Sequence, residues 1–386
     1  MSISSMEPML PSDSGLETQA SEVVSAAERL GGTLHPLTLA AVADLLRTVN
    51  CYYSNLIEGH NTHPADIERA MREDYSQDSG TRDLQREARA HIEVQRLMDA
   101  RLDSEPELDV CSASFLRWIH REFYERLPGD FRIVRDPGTG REEPVRPGEF
   151  RHHDVKVGMH VPLPANRIEA AILRFAEAYD PVRFVPASGM VAAGAAHHRL
   201  LWIHPFGDGN GRVTRLMTDA YLRRIGVGGN GLWSVSRGLA RRRDEYRRYL
   251  AAADDLRRDD HDGRGNLSNS ALVDFVRFFL EVCADQIEFM AHLLEIDMLA
   301  NRFLNYARAI PLRKEAVRLL MDLLYRGMVP RGEVTDLLKL HERTARRVLR
   351  ELVDDGWIES ESSRAPLRLR IPTHAVPYVL PDLYGV

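Results

Sequence analysis

Residues 204–215 read HPFGDGNGRVTR and hold one imidazole, one carboxylate, one amide, three glycines and two guanidiniums. His204 is the group in this stretch that exchanges a proton near neutral pH. Gly207, Gly209 and Gly211 alternate, so the backbone can bend and come close to a ligand. The residues that follow, VTRLMTDAYLRRI, read as helix. A glycine-rich loop feeding a helix N-terminus supplies backbone N–H groups and the positive end of a dipole, which suit phosphate. Arg212 and Arg215 lie one turn apart and share a face, so each can clamp a different phosphoryl group of a polyphosphate. Asp208 is a hard oxygen ligand of the kind that bridges Mg²⁺ to substrate phosphates. Asn210 can donate to phosphate oxygens or fix the loop. Together these groups describe a phosphate-transfer site. Two plainer readings stand beside it: Gly-Asn-Gly with Asp is ordinary turn chemistry, and His197, His198 and His204 with Asp208 could form a metal site. The register of all the polar and glycine positions favours phosphate transfer.

These groups need a scaffold, and most of the chain reads as helix. Apolar spacing from Leu39 through Val42, Leu45, Leu46 and Val49 opens one helix, and similar patterns cover 83–102, 112–126, 168–179, 188–203 and 271–303. Residues 128–164 break the pattern with glycines, prolines and two β-type stretches, FRIV and HHDVKVGMHVPLP, which predict a small hairpin. Residues 311–371 change character again: helix 314–326, the turn MVPRG, helices 333–340 and 342–355, then Gly356 and two short strands, WIES and LRLRI. That is the order of a winged helix-turn-helix.

Composition sets limits. A net charge of −6 excludes a chain built as a whole to bind polyanions, so any basic patch is local. Cys51, Cys111 and Cys283 are odd in number and far apart, which points to a reducing compartment without a disulfide framework. The first nineteen residues, MSISSMEPMLPSDSGLETQ, lack the basic and apolar regions of a signal peptide and read as a floppy leader. No stretch reaches the roughly 18 apolar residues of a membrane span. The expectation is a cytoplasmic protein with no membrane partner.

HPFGDGNGRVTR matches every position of H-x-F-x-[D/E]-G-N-G-R-x-x-R, and with AAHHRLLWI before it the stretch resembles the signature of the Fic (filamentation-induced) family. The resemblance covers roughly residues 35–300. It implies a mainly α fold: a Fic-type helical bundle with a small β-hairpin flap, here followed by the winged helix. It also implies AMP transfer from ATP to a hydroxyl of a target protein, with Mg²⁺ and release of pyrophosphate. His204 would deprotonate the hydroxyl and Asp208 would hold Mg²⁺. Gly209, Asn210 and Gly211 would bind the α- and β-phosphates with Arg212, and Arg215 the γ-phosphate. The segment VKVGMHVPLP is similar to the family flap, which aligns the target by strand addition. Val157, Gly158, Met159 and His160 would then lie against the nucleotide. Tyr246 and Asp254 stand where the family places a Tyr and an Asn near nucleobase and ribose; Asp for Asn is a departure. The Arg241–Arg243 run, His152 and His153 read as solvated surface.

Ser54 and Glu58, in YYSNLIEGHNT, are i and i+4 and share a helix face. Gly59 fits a helix C-cap, and S-x-x-x-E-G resembles the family's inhibitory motif. Glu58 paired with Arg215 would occupy the γ-phosphate clamp. In the C-terminal part, Ala345, Val348, Leu349 and Leu352 make a core face, with Arg343, Arg346, Arg347 and Arg350 on another. The segment 311–371 carries 13 Lys and Arg against 10 Asp and Glu, a net of +3, modest for a DNA partner. The expected organisation is a disordered leader (1–20), an N-terminal helical region with the inhibitory helix (21–105), a Fic core (106–303) and a winged helix (304–386). A homodimer is compatible with this. The competing readings are a Fic enzyme using another nucleotide or removing AMP, and a DNA-binding regulator with a nucleotide-sensing core.

Overall fold

The computed structural model of the chain describes residues 6–135, 142–310 and 312–385. The fold is mainly α. In chain order the helices are α1 (Ser14–Gly31), α2 (Pro36–Glu58), α3 (Pro64–Met71), α4 (Ser79–Ser104), α5 (Ala113–Glu125), α6 (Ile168–Tyr179), α7 (Pro186–Ile203), α8 (Asn210–Arg224), α9 (Val235–Arg241), α10 (Arg243–Ala253), α11 (Asn269–Leu293), α12 (Ile296–Ala309), α13 (Lys314–Arg326), α14 (Val334–Leu338), α15 (Glu342–Asp354) and α16 (Val376–Val379). The strands are β1 (Ile133–Arg135), β2 (Glu142–Pro144), β3 (Met328–Val329), β4 (Ile358–Glu359) and β5 (Leu367–Leu369). No helix among the described residues is long and apolar enough to cross a membrane.

The chain packs as two compact units, which cut across the expected boundaries at 105/106 and 303/304. The larger comprises residues 1–26, 50–228 and 234–286; the other comprises 27–49, 229–233 and 287–386. The larger unit is built round α7, whose small residues (SGMVAAGAAHH) let neighbours approach from every side. Its residues 189–200 are all buried, as expected of a helix with no solvent face. A Cβ on Gly194 would lie 3.0 Å from the Phe279 ring, so this glycine sets how closely α7 and α11 pack. Residues 50–105 belong to this unit because buried polar groups tie α2 and α4 to it: Asn50 donates to Gln95 (2.9 Å) and to Asp219 on α8 (2.7 Å).

The floppy leader expected over 1–20 is corrected for its described part; residues 1–5 lie outside it. Met6, Met9 and Leu16 are buried, and α1 begins at Ser14. The Glu7 carbonyl accepts from the amides of Asn266 (3.0 Å) and Leu267 (2.9 Å). Polar composition misled here because three apolar side chains anchor a segment whose backbone is paired elsewhere. The expected hairpin is also corrected. FRIV pairs not with HHDVKV but with Glu142–Pro144, Ile133 opposite Pro144. VKVGMH folds on itself, with a single bridge between Val157 and His160 about Gly158 (φ 60°). The ladder stops there because Pro162 and Pro164 have no N–H to donate.

In the smaller unit, α13, α14 and α15 are followed by β4 and β5, and β3 completes an antiparallel sheet in the order β3–β5–β4. Leu319, Leu323, Val348, Leu352 and Leu367 fill its core. Trp357 packs on Phe303 and Tyr306, with ring centroids 5.8 and 5.7 Å away.

Candidate active site

His204 caps the C-terminus of α7 in the left-handed region, with φ 51°, a costly conformation for a residue with a side chain. Arg151 holds it there. The Arg151 backbone amide donates to the Pro205 carbonyl (2.9 Å), and its Nε donates to the His204 carbonyl (2.8 Å). Burial, helped by Arg151 and His160 nearby, pushes the His204 imidazole down to about 4. The ring is therefore neutral at physiological pH and able to take a proton.

The turn that follows is closed by Asn210. Its Nδ2 donates to the Phe206 carbonyl, and its Oδ1 accepts from the Phe206 amide, both at 2.9 Å. Of the two uses open to Asn210, the side chain takes the loop-fixing one. Phe206 is fully buried and stacks on His120, with centroids 4.1 Å apart and planes at 6°. Gly209 adopts φ 76° at the start of α8, and a Cβ there would strike the Tyr124 ring. Tyr124 uses that proximity to donate its hydroxyl to Asp208 Oδ2 at 2.5 Å, and burial raises its own pKa. Gly207 lies apart from these groups, lining a separate cavity of about 110 Å³ with His152 and His153.

Arg212 and Arg215, in the first half of α8, are buried and answered by carboxylates. Arg215 donates to Glu58 Oε1 (2.6 Å), to Ser54 Oγ (2.9 Å) and to the Ser54 carbonyl (3.2 Å). Ser54 and Glu58 thus meet the same guanidinium from one face of α2. A Cβ on Gly211 would collide with the Glu58 carboxylate, so the glycine leaves room for an anion at the head of α8. Glu58 is held below the usual carboxylate range: burial acts to raise it, but Arg215, with Arg212 and His60, outweighs burial. Gly59 (φ 95°) ends α2 with bonds from its amide to Leu56 and from the His60 amide to Asn55, so Gly59 is a helix cap as well as part of the motif. Arg212 donates to Glu87 on α4 (3.4 Å) and lies over the Phe123 ring at 5.0 Å. Its buried Nε finds no hydrogen-bond partner among the described residues.

A cavity of about 1300 Å³ opens beside this constellation. His204, Val157, Gly158, Met159, His160 and Asp254 all line it, together with Trp202 and one stripe of α10. Asp254 joins two imidazoles, His160 Nδ1 and His198 Nε2, both at 3.2 Å. These outweigh burial and bring its carboxyl down to about 2. Tyr246, expected at the nucleobase, does not line the cavity. It is buried against α7, and its hydroxyl lies 2.7 Å from His197 Nε2. Helix register contributes to this: the stripe 247, 250, 251 and 254 faces the cavity, and Tyr246 lies about 90° from the middle of that stripe, at the edge that meets His197 of α7. His197 and His198 are engaged in these networks, and no group of three or more metal-ligating side chains is found among the described residues. A divalent cation at Asp208 would complete its coordination with substrate phosphate oxygens, as Mg²⁺ commonly does. Tyr124, Glu87, His60 and Arg151 were missed in the sequence; each is remote from the motif and of a type with many structural uses.

Residues 110–222 match the model of the Fic/DOC family. The chain is 37% identical over 87 residues to a protein named protein adenylyltransferase Fic from Drosophila virilis, 22% of this chain and 18% of that protein. It is 36% identical over 87 residues to the protein of that name from Drosophila melanogaster, with the same shares. The chain thus spans about a fifth of the length of the curated relatives it matches. Among solved structures, a Fic family protein from Desulfovibrio desulfuricans G20 superposes with a TM-score of 0.53 at 18% identity, covering 91% of this chain and 95% of that one. Fic-1 from C. elegans superposes with a TM-score of 0.56 at 15% identity, covering 74% of each chain; these two likenesses speak to the fold. The signature, the family match and the fold agree: residues 110–222 are a Fic/DOC-type domain.

Proposed function

We propose that this protein transfers AMP from ATP to a hydroxyl of a target protein, and that Glu58 restrains the reaction. The observation that carries the reading is the Glu58–Arg215 pair at 2.6 Å, which puts the chain's own carboxylate at the helix terminus and guanidinium that a terminal phosphate needs. The orphaned Nε of Arg212 supports it further, since a buried donor without a partner invites an anion. His204, neutral and lining the cavity, takes the proton of the target hydroxyl. The hydroxyl oxygen bonds to the α-phosphorus, the bond to the bridging oxygen breaks, and pyrophosphate leaves. The amides at the head of α8 and Arg212 steady the charge on the phosphates. Asp208, oriented by Tyr124, would hold Mg²⁺, which would neutralise phosphate charge when bound. Val157, Gly158, Met159 and His160 form the flap turn, which borders the nucleotide on one side and aligns the target backbone on the other. Asp254, as a carboxylate, accepts hydrogen bonds from the nucleoside where an Asn could also donate.

The test uses ATP labelled at the α-phosphate. Glu58→Gly should label itself and target proteins well above wild type, and His204→Ala in the same background should not. Equal labelling by wild type and Glu58→Gly refutes the restraint, and labelling that survives His204→Ala removes His204 as base. Label from γ-labelled ATP alone would point to a different transferred group.

We read the order α13–α14–α15–β4–β5 as a winged helix. Arg343, Arg346, Arg347 and Arg350 are all exposed on α15, which supports DNA as a second partner. Arg346 pairs with Glu342, and Arg347 lies 3.9 Å from Glu351, which tempers that charge. A salt-dependent mobility shift with duplex DNA is the expected outcome; no shift at low salt rejects this partner.

A further inference from the structure

The residue after the cap, His60, extends the α2 terminus to a partner that neither the signature nor the inhibitory motif contains. His60 Nδ1 lies 2.6 Å from Glu87 Oε2, and the other oxygen of the same carboxylate, Oε1, takes Arg212 at 3.4 Å. Arg212 Nη2 and His60 Nδ1 are themselves 3.5 Å apart. Glu87 and Arg212 side chains are each 8% exposed, whereas His60 is 39% exposed and solvent can reach it. One buried carboxylate on α4 is therefore shared by a phosphate-site arginine and by the segment that carries Glu58.

We propose that Glu87 is a positioning residue for Arg212, and that its second oxygen latches His60 so that the Glu58 end of α2 stays seated while His60 is protonated. This rests on the reading of Glu58 as a restraint. Three charged groups face His60: Glu87 from α4, Arg212 from α8, and Glu58 two residues before it. Glu87 and Glu58 favour the imidazolium, Arg212 opposes it, and the hydrogen bond to Glu87 prevails over partial burial, so the His60 pKa is raised. The sign follows. A group whose pKa is raised in the seated state contributes fully below its ordinary value of 6.5 and loses that contribution as pH rises through the raised one. Rising pH thus strips the latch of its charge assistance, which favours departure of the Glu58 segment and opens Arg215 to nucleotide. His204, neutral from about pH 4 upward, does not titrate in that window. When the latch opens, Glu87 turns wholly to Arg212, which fixes the guanidinium for the phosphate as the restraint departs.

The test is ATP binding by calorimetry and α-labelled transfer, each measured from pH 6 to 9 on the full chain. His60→Ala should raise ATP affinity at pH 6.5 by about fivefold, the scale of a half-exposed charged pair, and should flatten the rise with pH that wild type shows. In the Glu58→Gly background, His60→Ala should add nothing. Glu87→Gln should raise the KM for ATP even in the Glu58→Gly background, and Glu87→Asp should restore part of it. Wild-type affinity and pH profile in His60→Ala overturn the latch, as does an equal effect of His60→Ala with and without Glu58. An unchanged KM in Glu87→Gln/Glu58→Gly overturns the positioning role. If no variant transfers label, the transferase reading fails, while the calorimetric arm still decides the latch.

Discussion

Replacing Glu58 by Gln keeps the shape and removes the charge, and it should move two assays in opposite directions. Arg215 is 3% exposed and Glu58 34% exposed. Breaking a fully buried pair by removing one partner costs about 3–5 kcal/mol, and an exposed pair contributes about 1 kcal/mol or less. Here one partner is buried, the other is a third exposed, and Ser54 still supplies two acceptors for the guanidinium. A cost of about 1.5 kcal/mol is the reasonable middle. The variant should therefore melt roughly 2–4 °C lower without nucleotide. The same energy no longer opposes ATP, so affinity should rise by about tenfold, and saturating ATP should recover most of the lost stability. The melting difference also has a definite pH dependence. The Glu58 pKa is lowered by Arg215 against the opposing pull of burial, so its contribution is present above the ordinary 4.5 and is lost as pH falls through the lower folded value. Differential scanning calorimetry at pH 7 and pH 4, with titration calorimetry of ATP, checks all of this. A Glu58→Gln protein with wild-type melting and wild-type ATP affinity would show that the pair contributes nothing.

Other expectations follow from single contacts. Tyr124→Phe removes the hydroxyl that orients Asp208 and should raise the Mg²⁺ concentration for half-maximal ATP binding about tenfold; an unchanged Mg²⁺ titration would separate Tyr124 from the metal. Asn210→Ala removes both side-chain bonds that close the 206–210 turn and should cost about 1–3 kcal/mol by chemical denaturation, with a loss of transfer in the Glu58→Gly background; full activity would make the turn self-sufficient. Arg151→Ala leaves the carbonyls of His204, His153 and Leu163 without their donor and should lower stability by roughly 3 kcal/mol; Arg151→Lys, which cannot serve three carbonyls in a fork, should rescue little. Transfer by the Glu58→Gly variant should show no acid limb above about pH 5, because His204 titrates near 4; a limb at pH 6–7 would mean that an imidazolium forms there.

The twelve residues of the motif were legible because they are contiguous: the turn, the cap and the head of α8 are one local structure, and local structure is what spacing encodes. The face shared by Ser54 and Glu58 was legible for the same reason, since i and i+4 lie on one face of a helix and can meet the same partner. Glu87 gave no such sign. It stands among polar residues on α4, and its meaning comes from Arg212, 125 residues later. Tyr246 shows the opposite error, in which family position suggested the cavity and the helix register turned the side chain away. The first β-stretch paired with a segment that has no β signature, because pairing of Ile133–Arg135 with Glu142–Pro144 depends on which backbone comes near rather than on side-chain type. Composition marked the N-terminal residues as polar and could not register that Met6, Met9 and Leu16 had a groove to fill.

That N-terminal segment has a consequence of its own. Arg199 lies inside α7 and is fully buried. It donates to His198 Nδ1 (2.7 Å) and, through Nε and Nη2, to the carbonyl of Pro8 (3.2 and 2.8 Å). A main-chain dipole from the front of the chain thus does for this cation what a water shell does outside. Clipping the chain after Met9 would leave a charge in a dry slot, one step through His198 from the Asp254 wall of the cavity. A trimmed protein should bind a synthetic peptide of residues 1–13 in trans and regain thermal stability with it. In that sense residues 6–9 behave as a tethered ligand, and where a tag or a protease cut falls among them bears on the Asp254 wall of the cavity.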